Sequence, residues 1–287
     1  MDKIDRPLYN VKEVYLECIQ SMRGNRKEKF ERYLNFVIEY SEIFEKHMLL
    51  GKSLNIIPMN TVGEISKNEF EKIYTQKFTN KNHECRKYYD DILMLANHGM
   101  CPYCSQNLVS TIDHFLPRSK YLPLSVTPSN LVPCCSDCNK NKSDKCGDRA
   151  ENSLFSPYFD DINRSIWLKG ILHHENSKDL IMTFIIDYNT IDVLFGKRLE
   201  NYFETFKLYN LYSKYASIEV NKRSYQFREI FERGGIDELN EFFQNEINSM
   251  CFVEEKENLN SWKSALLRTL KEDKWYLEYY LPNYNTF

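Results

Sequence analysis

Asp113, His114, Asn130 and Asn139 fall close together in a chain of 287 residues, and their types suit chemistry at phosphorus. The Asp113 carboxylate and the Asn139 side-chain carbonyl are hard oxygen donors of the kind a divalent cation such as Mg²⁺ prefers. The imidazole of His114, next to Asp113, can take a proton from a water for in-line attack. With waters and a substrate phosphate completing the cation's shell, these are the parts of a one-metal phosphodiesterase. Arg118 and Lys142 either stabilise charge developing on the phosphate or are solvated surface cations.

These residues are framed by two knuckles, Cys101-Pro-Tyr-Cys104 and Cys135-Ser-Asp-Cys138. Each CxxC turn can aim two sulfurs at one metal, so Cys101, Cys104, Cys135 and Cys138 form a closed tetrahedral set for a structural Zn²⁺. A single CxxC would read equally well as a redox pair; two in one short segment favour zinc. Cys134 adjoins Cys135, but only Cys135 completes a CxxC with Cys138. Cys18, Cys85, Cys146 and Cys251 stand alone and read as small buried hydrophobes. His47, His83, His98 and the pair His173-His174 lie outside the frame and read as surface residues.

A strand–loop–strand–helix unit has to position this set. Val109 to Phe115 and Leu131 to Cys135 have the short β-branched runs of strands, and a helix over Cys138 to Lys145 follows. Upstream the chain reads as helical. Phe30, Tyr33, Leu34, Val37, Ile38 and Phe44 make one amphipathic stripe, Ser66 and Glu69 have the form of a capping box, and a helix from Cys85 to Leu95 stops near Gly99. Downstream, Ile166 to Leu172 and Leu180 to Tyr188 read as paired strands turning through His173 to Asp179. Helical stripes resume at Ile191 and recur near Phe227 to Phe231, Leu239 to Ile247 and Trp262 to Leu281. The predicted organisation is a helical region 1–99, a metal-bound module 100–150, and a mixed then helical region 151–287.

The order CPYC, DHFLPRS, NLVPCCSDCN and a following Lys resembles the HNH endonucleases of the zinc-stapled ββα-metal type. The resemblance implies an α-rich α+β protein with a small zinc-bound module between helical flanks. It makes His114 the general base, Asn130 the residue that holds the catalytic loop, and Asp113 and Asn139 the ligands of the catalytic cation. Wording around the module, Lys120-Tyr121 and Ser156-Pro157-Tyr158-Phe159, is similar to HNH effector nucleases of bacterial antiphage operons such as the Septu and retron systems. That narrower likeness implies a nuclease acting on DNA or RNA beside a separate ATPase subunit. The competing reading is a catalytically silent zinc module that binds nucleic acid or serves as an adaptor.

Charge neither forbids nor demands a nucleic-acid partner. The net charge is −3, but the acidic excess lies C-terminal, while Arg118, Lys120, Lys140, Lys142, Lys145 and Arg149 face only Asp137, Asp144 and Asp148 between 118 and 149. This is a modest basic patch. No apolar run reaches the roughly 18 residues of a membrane span, and the charged start of the chain lacks a secretory pattern; the expectation is a cytoplasmic protein with reduced cysteines. Leu50-Gly51-Lys52-Ser53 imitates the end of a phosphate-binding loop, but Lys46 stands where that motif needs glycine. If nucleotide hydrolysis regulates this protein, the ATPase is another chain, as the antiphage resemblance implies.

Overall fold

The apolar stripe from Phe30 to Phe44 is carried by two helices rather than one. In the computed structural model, which describes residues 1–173, 179–253, 256–257 and 259–283, α1 spans Val11–Ile19, α2 Asn25–Arg32 and α3 Leu34–Leu49. The break falls at Tyr33 (φ −97°, ψ 9°), in the sparsely allowed bridge region. Tyr33 leaves the helical path to lie over Gly63, where a Cβ would stand 2.1 Å from its ring. Gly63 also has φ +53°, so it meets both demands, close approach and a left-handed backbone, that exclude a side chain. The Tyr33 hydroxyl accepts the Glu64 amide at 3.1 Å.

Helix α4 (Lys67–Ile73) opens on the expected capping box: Ser66 Oγ accepts the Glu69 amide and Glu69 Oε2 accepts the Ser66 amide at 3.0 Å. It runs on into a wider π turn, Tyr74–Phe78. Helix α5 (Arg86–Met94) follows. Two antiparallel strands come next, β1 (Thr111–His114) and β2 (Leu131–Cys134), with Asp113 opposite Val132 and His114 opposite Leu131. Helix α6 (Ser136–Lys142) starts on Cys135, whose Sγ accepts the Cys138 amide.

The hairpin has no core of its own. Ile112, Leu122, Val126 and Leu131 are buried in the same cluster as Tyr15, Phe30, Phe70, Phe78 and Tyr88 from the preceding helices. Residues Met1–Asp161 therefore form one compact unit and Ile162–Phe287 a second. The one division between compact units falls at 161/162, and the module's apolar face is covered by the N-terminal helices.

In the second unit, β3 (Leu168–His173) pairs antiparallel with β4 (Ile181–Ile186), Leu168 opposite Ile186. Along β3, burial alternates strictly, as a strand covered on one face requires. Asn260 holds its start, accepting the Trp167 and Leu168 amides at 2.8 and 3.0 Å. Helix α7 (Val193–Phe206) precedes α8 (Leu208–Cys251), which is broken at Gly235 (φ 72°, ψ −161°). In a straight helix Arg223 and Glu246 would stand about 34 Å apart at 1.5 Å per residue; here they form an ion pair at 3.0 Å. Phe227 packs on Phe243 with ring centroids 5.0 Å apart. The two stripes predicted near 227–231 and 239–247 are thus the facing arms of a helical hairpin. A short pair, β5 (Phe252–Val253) and β6 (Lys256–Glu257), and α9 (Trp262–Glu272) complete the unit. The stripe predicted over Trp262 to Leu281 is interrupted at Asp273, which accepts the Tyr276 amide at 2.8 Å, before a π turn at Tyr276–Tyr280.

Expectations for the isolated residues divide. Cys18, Cys85 and Cys146 are buried as expected; the side chain of Cys251 and the whole of His174 lie outside the described residues. His173 ends β3 and meets Thr183 Oγ1 at 2.7 Å. His83 is not a free surface residue: half-buried, it contacts Cys85 Sγ at 3.0 Å and Ser21 Oγ at 2.9 Å. His47 is half-buried too, with Nδ1 enclosed and unbonded. Gly51 terminates α3 with φ +65°, a helix-ending role rather than a phosphate loop.

Candidate active site

The two knuckles close on each other. Cys101, Cys104, Cys135 and Cys138 are all buried and their sulfurs lie within 4.8 Å of one another, with Cys104 Sγ to Cys135 Sγ at 4.0 Å. Ideal tetrahedral zinc with bonds near 2.3 Å places sulfurs about 3.8 Å apart, so the set fits one zinc ion. Backbone geometry prepares it. Ser105 turns the first knuckle with φ +51°, and its amide returns to the Cys101 carbonyl at 2.7 Å. Asn107 sends its amide to Cys104 Sγ at 3.5 Å, and the Cys138 amide reaches Cys135 Sγ at 3.4 Å; such N–H groups offset thiolate charge. Among the described residues this is the one group of three or more His, Cys, Asp or Glu side chains arranged for a metal. Cys134 is not in it: it sits on β2 opposite Thr111, and burial pushes its thiol pKa up.

His114 ends β1, half-buried. Its Nε2 lies 2.9 Å from the Ser125 carbonyl. A carbonyl only accepts, so this partner assigns the ring proton to Nε2 and leaves the Nδ1 lone pair available. The ring stands edge-on to Tyr74, centroids 4.5 Å apart. Burial lowers the imidazole pKa to about 3, with Arg118 and Lys142 adding to the shift and the Ser125 bond opposing it. The ring is therefore neutral at pH 7. Arg118 stacks over the same tyrosine, 5.2 Å from its centroid, and its enclosed Nη1 has no hydrogen-bond partner.

Asn130 is fully buried and bridges the loop between the strands. Its Oδ1 accepts the Leu116 amide at 2.8 Å, and its Nδ2 donates to the Leu116 and Leu124 carbonyls at 3.0 and 3.4 Å. The Asn130 carbonyl also accepts the Phe115 amide at 2.9 Å. The loop that carries Ser125 is thereby tied to the end of β1.

Asp113 and His114 do not converge. Successive strand residues face opposite sides of the sheet, and the contacts follow: His114 meets Tyr74 and Ser125, whereas Asp113 turns toward α6. There its carboxylate, 4% exposed, pairs with the wholly buried Lys142 ammonium at 2.9 Å and accepts the Tyr103 hydroxyl at 2.8 Å. Lys142 Nζ also donates to the His114 carbonyl at 2.7 Å. The solvated-cation reading of Lys142 is thus corrected: the ammonium is enclosed because it supplies the counter-charge of a buried carboxylate. Asn139 is half-buried beside β1 and directs Nδ2 to the Ile112 carbonyl at 3.3 Å and Thr111 Oγ1 at 3.4 Å. As arranged, the donors expected for a catalytic cation do not fit one, since both Asp113 oxygens already face an ammonium.

Three contributors were not singled out from the sequence. Tyr103 sits inside the first knuckle, where a buried tyrosine beside an acidic strand residue was a readable signal. Tyr74 belongs to a helix-stripe position. Ser125 acts through its carbonyl, which no side-chain pattern announces.

Comparison with known proteins follows this geometry. Residues 101–145 match the family profile described as HNH endonuclease. The chain is 32% identical over 148 residues to "Protein ea31" of Escherichia phage lambda, an overlap of 48% of this chain and 50% of that protein. The chain therefore spans about half the length of the curated relative it matches. No solved structure matches. The strand pair, the four-cysteine cluster and α6 lie within the matched span, so the chain carries, at residues 101–145, a domain of the HNH endonuclease type set against a helical core.

Proposed function

We propose that this chain is an HNH endonuclease that hydrolyses phosphodiester bonds in DNA or RNA, with His114 as general base. The observation that carries the reading is the His114 tautomer: Nε2 anchored on the Ser125 carbonyl at 2.9 Å leaves Nδ1 to receive the proton of an attacking water. Asn130 fixes the loop that supplies that carbonyl. The unpartnered Arg118 Nη1 offers a donor to a phosphate oxygen, where charge builds in the transition state. A divalent cation, Mg²⁺ or a similar ion, would supply Lewis-acid charge; Asp113 and Asn139 are proposed as its ligands on the resemblance alone, since the Lys142 ammonium occupies the carboxylate. The zinc, closed by four cysteines, staples the module and leaves no open position for chemistry.

In the cell we propose a cytoplasmic antiviral defence effector that works in a complex with a separate ATPase. Resemblance to antiphage effector nucleases supports this, as does a basic patch too small for strong autonomous binding, because phosphate contacts supply most non-specific affinity. Among the described residues no helix is long and apolar enough to cross a membrane.

The test is cleavage of plasmid, single-stranded DNA and total RNA by purified chain, with Mg²⁺ or with EDTA at levels that leave zinc bound. His114→Ala is expected to cut less by at least about 10²-fold, the usual loss for a general base, with zinc content unchanged. Unaltered cleavage would overturn the assignment. The closed Asp113–Lys142 pair is the one observation that favours the alternative, a silent zinc module binding nucleic acid or an adaptor subunit, and absence of cleavage on every substrate, by the purified chain and by the complex pulled down with it, would support it.

A further inference from the structure

The two-stranded sheet of the second unit has two outer edges, and α8 closes only one of them. Along β4 the Met182 amide is taken by Ser217 Oγ at 3.0 Å, and just before the strand Asn221 holds both backbone groups of Leu180, the amide at 3.0 Å and the carbonyl at 2.9 Å. The outer edge of β3 is left open. The Asp187 amide donates to the Trp167 carbonyl at 2.8 Å, and hydrogen-bonded positions alternate along an antiparallel pair. Lys169 and Ile171 therefore bond to β4, while Leu168, Gly170 and Leu172 turn their backbone groups outward. Leu168 is provided for, since its amide goes to Asn260 at 3.0 Å and its carbonyl accepts Arg268 Nη2 at 3.5 Å. Gly170 and Leu172 have no such partner among the described residues.

That open edge borders a groove. A cavity of about 470 Å³ runs along Ile166 to Leu172, and its other wall is α9, through Ala265, Arg268, Thr269 and Glu272, which share one helix face. The helix lies directly against the strand, because a Cβ at Gly170 would stand 2.4 Å from Thr269 Oγ1. An exposed sheet edge of this kind takes up an extended peptide as an added strand. The main-chain groups set the occupant's conformation: donors and acceptors at the two-residue spacing of Gly170 and Leu172 are matched by an extended backbone. The carboxylates set its charge. Asp187, Glu272 and Asp273 line the groove against Lys169 and Arg268; Arg268 is engaged at the Leu168 carbonyl, and Glu272 is exposed.

We propose that the groove between β3 and α9 binds an extended, basic segment of a protein partner, which adds to β3 as a third strand. Its residues opposite Gly170 and Leu172 exchange backbone hydrogen bonds with β3 and point their side chains at α9, where a Lys or Arg meets Glu272. The residues between them face solvent beside Lys169 and Ile171. The binding is independent of the nuclease reading, because every group it uses lies in the second unit.

Amide hydrogen exchange and a peptide library test this on the full chain. In the free protein the Gly170 and Leu172 amides should exchange at least about tenfold faster than those of Lys169 and Ile171, because only the latter pair is held by β4. A library of random short peptides displayed on phage and selected on the chain should yield binders carrying Lys or Arg, and a synthetic binder should slow exchange at Gly170 and Leu172. Methylating the binder's backbone nitrogens one at a time should weaken it at every second position, the period of a paired strand. Glu272→Lys, a change at an exposed position, should weaken it by about two- to fivefold, the usual worth of an exposed ion pair. Slow exchange at Gly170 and Leu172 in the free chain at every concentration would mean that the chain covers its own edge, and slowing that grows with protein concentration would mean that a second copy does; either result overturns the proposal. So would a library that yields no binder, or binders that leave these two amides unprotected or that tolerate methylation at every position.

Discussion

At the scale of single residues, the site separates the groups that hold the His114 imidazole, the proposed base, from the imidazole itself. Asn130→Ala would leave the buried Leu116 amide and carbonyl without the side chain that pairs them, at a cost on the order of 1–3 kcal/mol; chemical denaturation should read that loss, and cleavage should fall with it. Arg118→Ala should lower kcat and kcat/KM together, with KM little changed, because its free Nη1 is proposed to meet charge that builds in the transition state. His114 also carries a pH signature. Its folded pKa is depressed to about 3, while the unfolded chain takes a proton near pH 6.5. Between those values the unfolded state binds more protons, so this histidine's contribution is fully present above about pH 6.5 and declines as pH falls toward 3. The denaturation midpoint of His114→Gln relative to wild type should therefore shift in the variant's favour as pH drops from about 7 to about 5.5. The cysteine frame was readable because four ligands of one type at fixed spacing have few other uses. The separation of Asp113 from His114 follows from strand alternation, which adjacency in the motif conceals. Neither sequence reading of Lys142, phosphate-facing or solvated, included its burial, because composition marks lysine as exposed and only packing shows it enclosed.

At the scale of elements, α4 links a sequence signal to the site. Its capping box opens the helix, and seven residues on it delivers Tyr74 to the ring of His114. Ser66→Ala should cost about 1 kcal/mol. The Glu69 carboxyl is held down to about 2 chiefly by its bonds to Ser66, with Lys29 helping. A depressed carboxyl stabilises above its unfolded value and loses that contribution as pH falls from about 4.5 toward 2, so the Ser66→Ala penalty should shrink in that range. The capping box was legible because both partners are local. The break at Tyr33 was not, because the stripe continues in phase across it; what decides is Gly63, thirty residues away, which makes room for the ring. The same holds at Gly235, where periodicity found both arms but not their fold back on each other.

At the scale of the whole molecule, the consequence of a shared core is that the module cannot be cut at its motif boundaries. A fragment of residues 1–161 should fold and retain about one zinc per chain, whereas residues 100–150 alone, deprived of the helices that cover Ile112, Leu122, Val126 and Leu131, should bind zinc without a cooperative thermal transition. Helical flanks were legible in the sequence; that the first supplies the module's core was not, since periodicity reports which face is apolar and not what covers it. The helical hairpin of α8 carries one more implication. Its reversal depends on a single residue at φ 72°, ψ −161°, a conformation essentially reserved for glycine. Gly235→Ala would favour one continuous rod about 66 Å long at 1.5 Å per residue, with Phe227 and Phe243 parted and each in want of the other. Two such chains can satisfy both by exchanging arms, and light scattering should then find a domain-swapped dimer where the native chain folds its own arm home.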